Sequence, residues 1–493
     1  MIGAAGGHEW QKNMSNGVGA SKSQLSSGDK DELNSAVIDN KTSYSSESFY
    51  NVEGFFLRAQ YDFSERIFAS ASYRVDASSN FSPKHRWGHF WSLGAGWLID
   101  RESWFNAPWV DMLKLKASVG SQGNDGIGSN RYLNTWGIRN YQGLVGASPE
   151  AIGNESITWE TNTNLNIGTD FEFFKGKLSG SVEYFYRLTS DMLYFFSYPM
   201  STGYSGIYDN VGDMSNTGIE VALSGNIMRR KDFSWDAYLN FTHYVNKIVS
   251  IPEKNRTAVV DGHAGFVSGA SYVGEGLPIN TFYLKKFAGV DPETGVSQWY
   301  VDKTDASGNT VQEKTTTYTA ASYYLCGNPI PDLYGGFGTS LSYRGFDLSV
   351  AFTYQIGGVA YDSGYATFMA SPIETNIGSN YHKDLLKAWT PDNAESQIPR
   401  FQYGDIYTAA SSDRFLTNAS YLNFQNAQLG YTLPRHITEK IRLAKMRVYA
   451  TCDNIWYMSC RKGFDPRFSM AGTSNYAVNS PVRTVSGGIS LTF

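Results

Sequence analysis

Segments whose side chains alternate between apolar and polar recur along this 493-residue chain from one end to the other. Successive side chains of an extended strand point to opposite faces, so each segment is a strand with one apolar and one polar side. Ile67, Ala69, Ala71, Tyr73 and Val75 oppose Phe68, Ser70, Ser72, Arg74 and Asp76. Leu113, Leu115, Ala117 and Val119 oppose Lys114, Lys116, Ser118 and Gly120. Leu165, Ile167, Phe171 and Phe173 oppose Asn164, Asn166, Asp170 and Glu172. Leu348, Val350, Phe352, Tyr354 and Ile356 oppose Asp347, Ser349, Ala351, Thr353 and Gln355, and similar faces occur at Ile219–Gly225, Trp235–Val245 and Met446–Cys452.

A soluble sandwich with one wet face shows the same alternation. Strand length and connections separate the two cases. Several segments reach the roughly 9–11 residues that span a bilayer, against about 5–6 in an ordinary strand. Short turns at Lys175-Gly176 and Arg344-Gly345 alternate with long links at Asn124–Ser156, Gly357–Asn418 and Ser459–Arg483. Such links are uncommon in compact soluble domains, whereas outer-membrane barrels have short turns at one end and long loops at the other. The sequence therefore predicts an all-β fold, a large antiparallel transmembrane β-barrel with long extracellular loops and about 14–16 spanning strands. The best helical segment is His382–Trp389, stopped by Pro391.

Composition agrees. Charged residues are 18%, aromatics 15% and Gly 49 against Pro 15, which suits aromatic girdles around a wet interior. No stretch approaches the roughly 20 apolar residues of a spanning helix. A net charge of −5 gives no support to a nucleic-acid partner. Cys326, Cys452 and Cys460 are odd in number and lack metal-ligand spacing, so neither a disulfide framework nor zinc is supported. Cys452 shares a face with Met446, Val448 and Ala450 and reads as a small apolar filler. The segment Met1–Gly7 has no basic region or long apolar run, so it is not a signal peptide. Trp91, Trp97, Trp104 and Trp109 read as an interfacial aromatic belt around one short-turn end. In the final strand Val485, Gly487, Ile489, Leu491 and Phe493 oppose Ser486, Gly488, Ser490 and Thr492. Bacterial outer-membrane barrels commonly end this way, which makes Ile489, Leu491 and Phe493 the expected assembly signal.

Several strings resemble one family, the SusC/RagA-like TonB-dependent transporters of the Bacteroidetes outer membrane. They are Tyr61–Ser79 continuing through Arg86-Trp87-Gly88 to Ser92–Trp97, and Leu113–Gly120 followed by Gly123-Asn124. Thr158-Trp159-Glu160 joins Asn166-Ile167-Gly168 and Asp170-Phe171, and Asn210–Glu220 reproduces Asn-x-Gly-x-Met-x-Asn-x-Gly-Ile-Glu. Gly289–Gly295, Tyr334–Phe337, Leu429–Pro434 and Gly463–Pro466 complete the set. The resemblance covers approximately residues 50–493. It implies that the complete protein imports oligosaccharides, glycan fragments or peptides across the outer membrane of a Gram-negative bacterium. A SusD-like surface lipoprotein would cap it, outer-membrane lipid would surround it, and a TonB–ExbB–ExbD complex would supply energy. Transporters of this type close on about 22 strands around a plug. Residues 1–493 are therefore expected to be one TonB-dependent receptor-like β-barrel domain truncated at its N-terminus, with the signal sequence, TonB-interacting segment, plug and first strands absent. The alternatives are a non-transporting surface barrel, adhesin or porin-like, and a soluble β-rich carbohydrate-binding protein.

No catalytic, metal or cofactor site is expected. His85 and His89 lie four residues apart at a strand edge, about 13 Å, too far to share one ion. Asp302–Asn309 lacks the spacing and closing Glu of a calcium loop and reads better as a polar hairpin turn. The glycine-rich run Gly123–Gly128 lacks the following helix that a phosphate cradle needs. Speculative substrate contacts are Trp136, Tyr141, Tyr204, Tyr208, Tyr361 and Tyr365, since flat aromatics in external loops can stack on sugars or grip peptides. The competing reading is loop–loop packing or contact with the lid protein.

Overall fold

Turn chemistry sets the strand register. Arg344 and Gly345 both have positive φ, 46° and 92°, between the paired Tyr343 and Phe346. This is type I′ geometry, whose twist matches that of the flanking strands. Ser64 and Glu65 adopt the same handedness, φ 52° and 54°, and the Asp62 carboxylate accepts the Glu65 N–H at 2.8 Å. That side-chain bond offsets the cost of left-handed backbone in residues with a Cβ.

The computed structural model describes residues 1–25, 32–33, 36–468, 471–474 and 480–493. Its main sheet runs β1 (Ile2–Leu25), β2 (Ala36–Phe63), β3 (Ile67–Ser78), β4 (Trp87–Leu98), β5 (Val110–Asn124), β6 (Glu160–Phe173) and β7 (Leu178–Ser190). It continues with β8 (Asp213–Arg230), β9 (Phe233–Ser250), β10 (Leu333–Tyr343), β11 (Phe346–Ile356), β12 (Tyr421–Thr432), β13 (Lys445–Ser459) and β14 (Thr484–Thr492). These fourteen strands hydrogen-bond in chain order, within the expected number. At about 3.3 Å per residue, the strands of 11 residues and more exceed the roughly 25 Å height of an outer-membrane apolar band.

The chain divides into two compact units. The first comprises Met1–Gly96, Ala117–Leu165 and Leu188–Asp213. Here β1 and β2 form a long ribbon in register from Ile2↔Tyr61 to Ser21↔Thr42, with almost every residue of β1 exposed. The core of this unit is Phe81, Phe90, Ile127, Ile157 and Trp159. Trp159 sits 5.3 Å from both Phe81 and Phe90, centroid to centroid, and its indole N–H donates to the Arg86 carbonyl at 2.8 Å. A Cβ at Gly123 would lie 2.1 Å from the Phe90 ring, so that glycine makes room for the cluster. The Tyr50 and Ser78 hydroxyls both donate to the Asp125 carboxylate, at 3.0 and 2.5 Å, pinning the turn after β5.

The second unit comprises Trp97–Lys116, Asn166–Arg187 and Met214–Phe493. Its strands separate two surfaces. On one, Phe337, Phe352 and Phe424 stack across β10, β11 and β12 at 5.0 and 4.5 Å, and Trp456 of β13 meets Phe424 edge-on at 6.3 Å. Each such pair adds about 0.5–1.5 kcal/mol beyond its buried area. Leu348, Ile356, Leu429, Val448 and Ile489 are exposed strand residues of this unit. On the other, Arg447 of β13 reaches over Gly430 of β12 to Asp347 of β11, with bonds of 3.0 and 2.5 Å. A Cβ on Gly430 would meet both side chains. Lys116 similarly bridges Asp170 at 2.9 Å and Glu183 at 3.0 Å.

Three expectations are modified. The segment His382–Trp389 is a 3-10 turn at Lys383–Lys387; Ala388 turns extended (ψ 158°) ahead of Pro391, and the His382 ring accepts the Asp384 N–H. The long links carry secondary structure of their own, including the hairpin Thr135–Tyr141 with Leu144–Ala151 and two small sheets between Ala258 and Leu325. Of the four expected belt tryptophans, Trp97 and Trp104 lie 6.2 Å apart and Trp109 packs against Phe173 and Phe174. Trp91 lies six residues back along β4, about 20 Å from that end.

Candidate functional site

The loop aromatics separate by packing. In the first unit, Trp136 and Tyr141 lie on an exposed hairpin, 61% and 70% accessible, among the equally open Ile138, Leu144 and Val145. Tyr204 is half-buried in the turn following Met200–Thr202, where the Thr202 hydroxyl accepts its N–H at 3.4 Å. Tyr208 packs on the unit's core, edge-on to Phe195 at 5.2 Å, with the Arg131 guanidinium 4.7 Å over its ring.

In the second unit, Tyr361 and Tyr365 pack against the cluster of Ala366, Met369 and Phe415. The Tyr365 hydroxyl donates to Asp384 at 3.0 Å, and Arg461 stands 3.8 Å above its ring while also pairing with Asp362. Burial, then the bond to Asp384 and its charge, push the Tyr365 hydroxyl up to about 12. The structure thus engages Tyr208, Tyr361 and Tyr365 in loop packing and leaves Trp136 and Tyr141 open.

Single-sequence reading did not find two clefts of the second unit. One, of about 220 Å³, is lined by Tyr244, Tyr334, Gln355 and Tyr421 with Pro329, Pro331 and Arg467. The other, of about 530 Å³, is lined by Trp299, Arg400, Gln402, Tyr403, Asp405 and Tyr407. Its walls come from segments about a hundred residues apart, which no local spacing could join. Nearby, Lys285 is buried with its ammonium 4.1 Å over the Tyr318 ring and 5.1 Å over Tyr323. It donates to the Tyr318 carbonyl, and burial lowers its pKa.

The loop after β13 is tied by Asp465, whose carboxylate accepts from Arg467 at 2.8 and 2.6 Å. Burial pushes this carboxyl up, but the Arg467 bonds outweigh it and hold the group below its ordinary 3.8. A depressed carboxyl contributes stability that is present above the unfolded pKa and is lost as pH falls through the folded value. Protection against hydrogen exchange at Phe464–Arg467 should therefore fall as the pH drops below about 4, and Asp465→Asn should flatten that response. An unchanged profile in the variant would remove the ion pair as its cause.

Histidine and acidic groups give no metal centre: among the described residues no set of three or more His, Cys, Asp or Glu is placed to hold an ion. His89 is engaged with the Tyr73 hydroxyl at 2.7 Å. Asp305 accepts the N–H groups of Ser307 and Asn309 at 2.8 and 2.9 Å, closing the polar hairpin turn. Ile489 and Leu491 pair with Val448 and Met446 and are exposed, as is Phe493.

Residues 3–337 match the family described as TonB dependent receptor-like, beta-barrel. The TonB-dependent receptor P3 of Formosa agariphila is 25% identical over 494 residues, covering 97% of this chain and 48% of that protein. The TonB-dependent receptor SusC of Bacteroides thetaiotaomicron is 26% identical over 465 residues, covering 88% and 43%. The solved RagAB peptide transporter superposes with a TM-score of 0.83 at 29% identity, covering 100% of this chain and 53% of that one. The chain spans about half the length of the curated relatives it matches.

Proposed function

We infer function from one premise: this chain belongs to the TonB-dependent receptor-like β-barrel family. On that reading it forms barrel wall of an outer-membrane active importer for oligosaccharides, glycan fragments or peptides. The observation that carries the reading is the apolar strand face at Phe337, Leu348, Ile356, Leu429, Val448 and Ile489, exposed on strands long enough to span a bilayer. Monomeric soluble proteins rarely leave so large a contiguous apolar surface open. Relatives named TonB-dependent receptors support the energy coupling, and a solved relative described as a peptide transporter supports a peptide among the cargoes. A SusD-like surface lipoprotein would cap the pore and a TonB–ExbB–ExbD complex would drive it. The family is one of transporters, and no catalytic step is assigned to this chain.

Uptake of labelled oligosaccharide or peptide by cells expressing the intact protein should fall at least tenfold when TonB is deleted. Equal uptake with and without TonB would favour the porin-like alternative, a passive pore.

We also propose Ile489, Leu491 and Phe493 as the assembly signal, because Ile489 and Leu491 are exposed apolar residues of β14 and the exposed Phe493 directly follows that strand. Phe493→Ala with Leu491→Ser should reduce the membrane-inserted, heat-modifiable fraction severalfold and leave the ligand affinity of inserted protein unchanged. Full insertion of the double variant would discard the role.

A further inference from the structure

The hairpin of Thr135–Tyr141 and Leu144–Ala151 turns its apolar side to water. Its register sets Ile138 opposite Ala147 and Asn140 opposite Val145, and directly opposed residues share a face of a strand pair. Trp136, Ile138 and Val145 therefore stand on one face. The charge is on the other: a Cβ on the buried Gly137 would meet the Arg139 guanidinium at 3.2 Å and the Glu150 carboxylate at 3.4 Å. Tyr141 and Leu144, opposed at the tip, add apolar surface to that second face. All five large residues are between 61% and 85% accessible. Hairpins with one face in water have the reverse arrangement, with the apolar side packed and the polar side wet.

The arm is held in shape before anything covers it. Gln142 and Gly143 have φ of 52° and 86°, the type I′ geometry that fits a two-residue hairpin turn. The Asn140 side chain accepts the Gly143 N–H at 2.8 Å. At the base, the Asn134 side chain accepts the Gly153 N–H at 2.9 Å, and the Asn154 amide donates to Asp209 at 2.9 Å. Tyr132, just before the arm, packs on the core of the first unit. A docking element ordered in advance loses little entropy when it binds.

Shape and hydrogen bonding select the occupant. The hairpin is a two-stranded sheet, and among the described residues no further strand pairs with either outer edge. Lipid would cover the side chains but leave the edge N–H and C=O groups unpaired. A second copy would bring the same convex hairpin to a two-fold contact, covering one face and leaving the other open. A groove on a different protein closes over both faces and can add a strand to an edge.

Position and area narrow the partner further. The hairpin lies in the link between β5 and β6, at the end of β5 away from Trp109, and the long loops of outer-membrane barrels face outside the cell. Five side chains this open offer on the order of 500 Å² of apolar surface. Freely diffusing partners use roughly 800 Å² each. The smaller area suits a partner already anchored to the same membrane, whose effective concentration at the mouth is high.

We propose that residues 135–151 are the docking arm for the capping surface lipoprotein, received in an apolar groove of that protein. The assignment rests on the importer reading and gives Trp136 and Tyr141 to the partner instead of the cargo.

The test uses the intact protein co-expressed with a tagged SusD-like lipoprotein from the same organism. Ile138→Glu with Val145→Lys replaces the open apolar face by opposite charges on diagonal neighbours, which keeps the strands paired. Val259→Lys, at an equally open residue of another loop hairpin, is the control. Lipoprotein recovered with the importer should fall at least tenfold in the double variant and stay unchanged in the control, with heat-modifiable migration intact in both. A photo-crosslinking residue at position 138 of the otherwise unaltered protein should join it to the lipoprotein. Equal recovery in the double variant, or equal loss in the control, overturns the proposal. So do crosslinks at 138 that go only to a second copy or only to lipid, and so does a wild type that binds no lipoprotein. TonB-dependent uptake with hairpin-independent lipoprotein binding would overturn the docking arm alone. Hairpin-dependent binding with uptake indifferent to TonB would overturn the importer reading alone.

Discussion

Arginine in place of Phe352 is expected to destabilise the membrane-inserted protein by about 2–4 kcal/mol, the cost of a cationic side chain near the midplane of a barrel's lipid face. Phe352 lies mid-strand in β11, stacked between Phe337 and Phe424, so the substitution also interrupts an aromatic row. Arginine in place of Ser349, three residues away on the opposite face of the same strand, should cost about 1 kcal/mol or less, because that face is wet. Urea unfolding in vesicles of matched composition measures the difference. Equal losses for the two variants would mean that the faces do not differ in environment.

Trp159→Ala should cost about 3–5 kcal/mol, the usual penalty for emptying an aromatic site in a packed core. Phe81 and Phe90 lose their shared partner, and the Arg86 carbonyl loses its indole donor. Trp159→Phe should recover most of the packing but not the hydrogen bond, leaving a deficit of about 1 kcal/mol. The readout is the unfolding midpoint, supported by protease sensitivity in residues 79–90 and 154–159. A midpoint unchanged by the alanine variant would show that the cluster does not hold these loops to the strand ends.

Where one face of a strand is apolar, the sequence is a direct record of the structure. The alternating segment Leu348–Ile356 forms one continuous strand, paired along its length with β10 without a register shift, and the Arg344-Gly345 turn has the backbone its residues predict. The ribbon of β1 and β2 was far less legible, because its outer part is polar on both sides and a period-2 pattern disappears when neither face is covered. Loops were hardest. That Tyr365 would be trapped between Asp384 and Arg461 depends on partners 19 and 96 positions away. The larger cleft likewise needs Trp299 beside Tyr407, a juxtaposition set by tertiary structure and by no local spacing. The His382–Trp389 segment misled for another reason: helical composition was present, but five residues are too few to propagate a helix and Pro391 follows closely.

Strands that form a membrane wall have lipid on one side and water on the other. A nitroxide scan of residues 347–355 in β11, with the protein reconstituted in bilayers, reads both sides. Collision with oxygen reports lipid, and collision with a water-soluble nickel chelate reports water. Labels at 348, 350, 352 and 354 should favour oxygen, those at 347, 349, 351, 353 and 355 should favour nickel, and the two profiles should oscillate out of phase with a period of two. High nickel accessibility at every position, with no oscillation, would mean that neither face of β11 meets lipid.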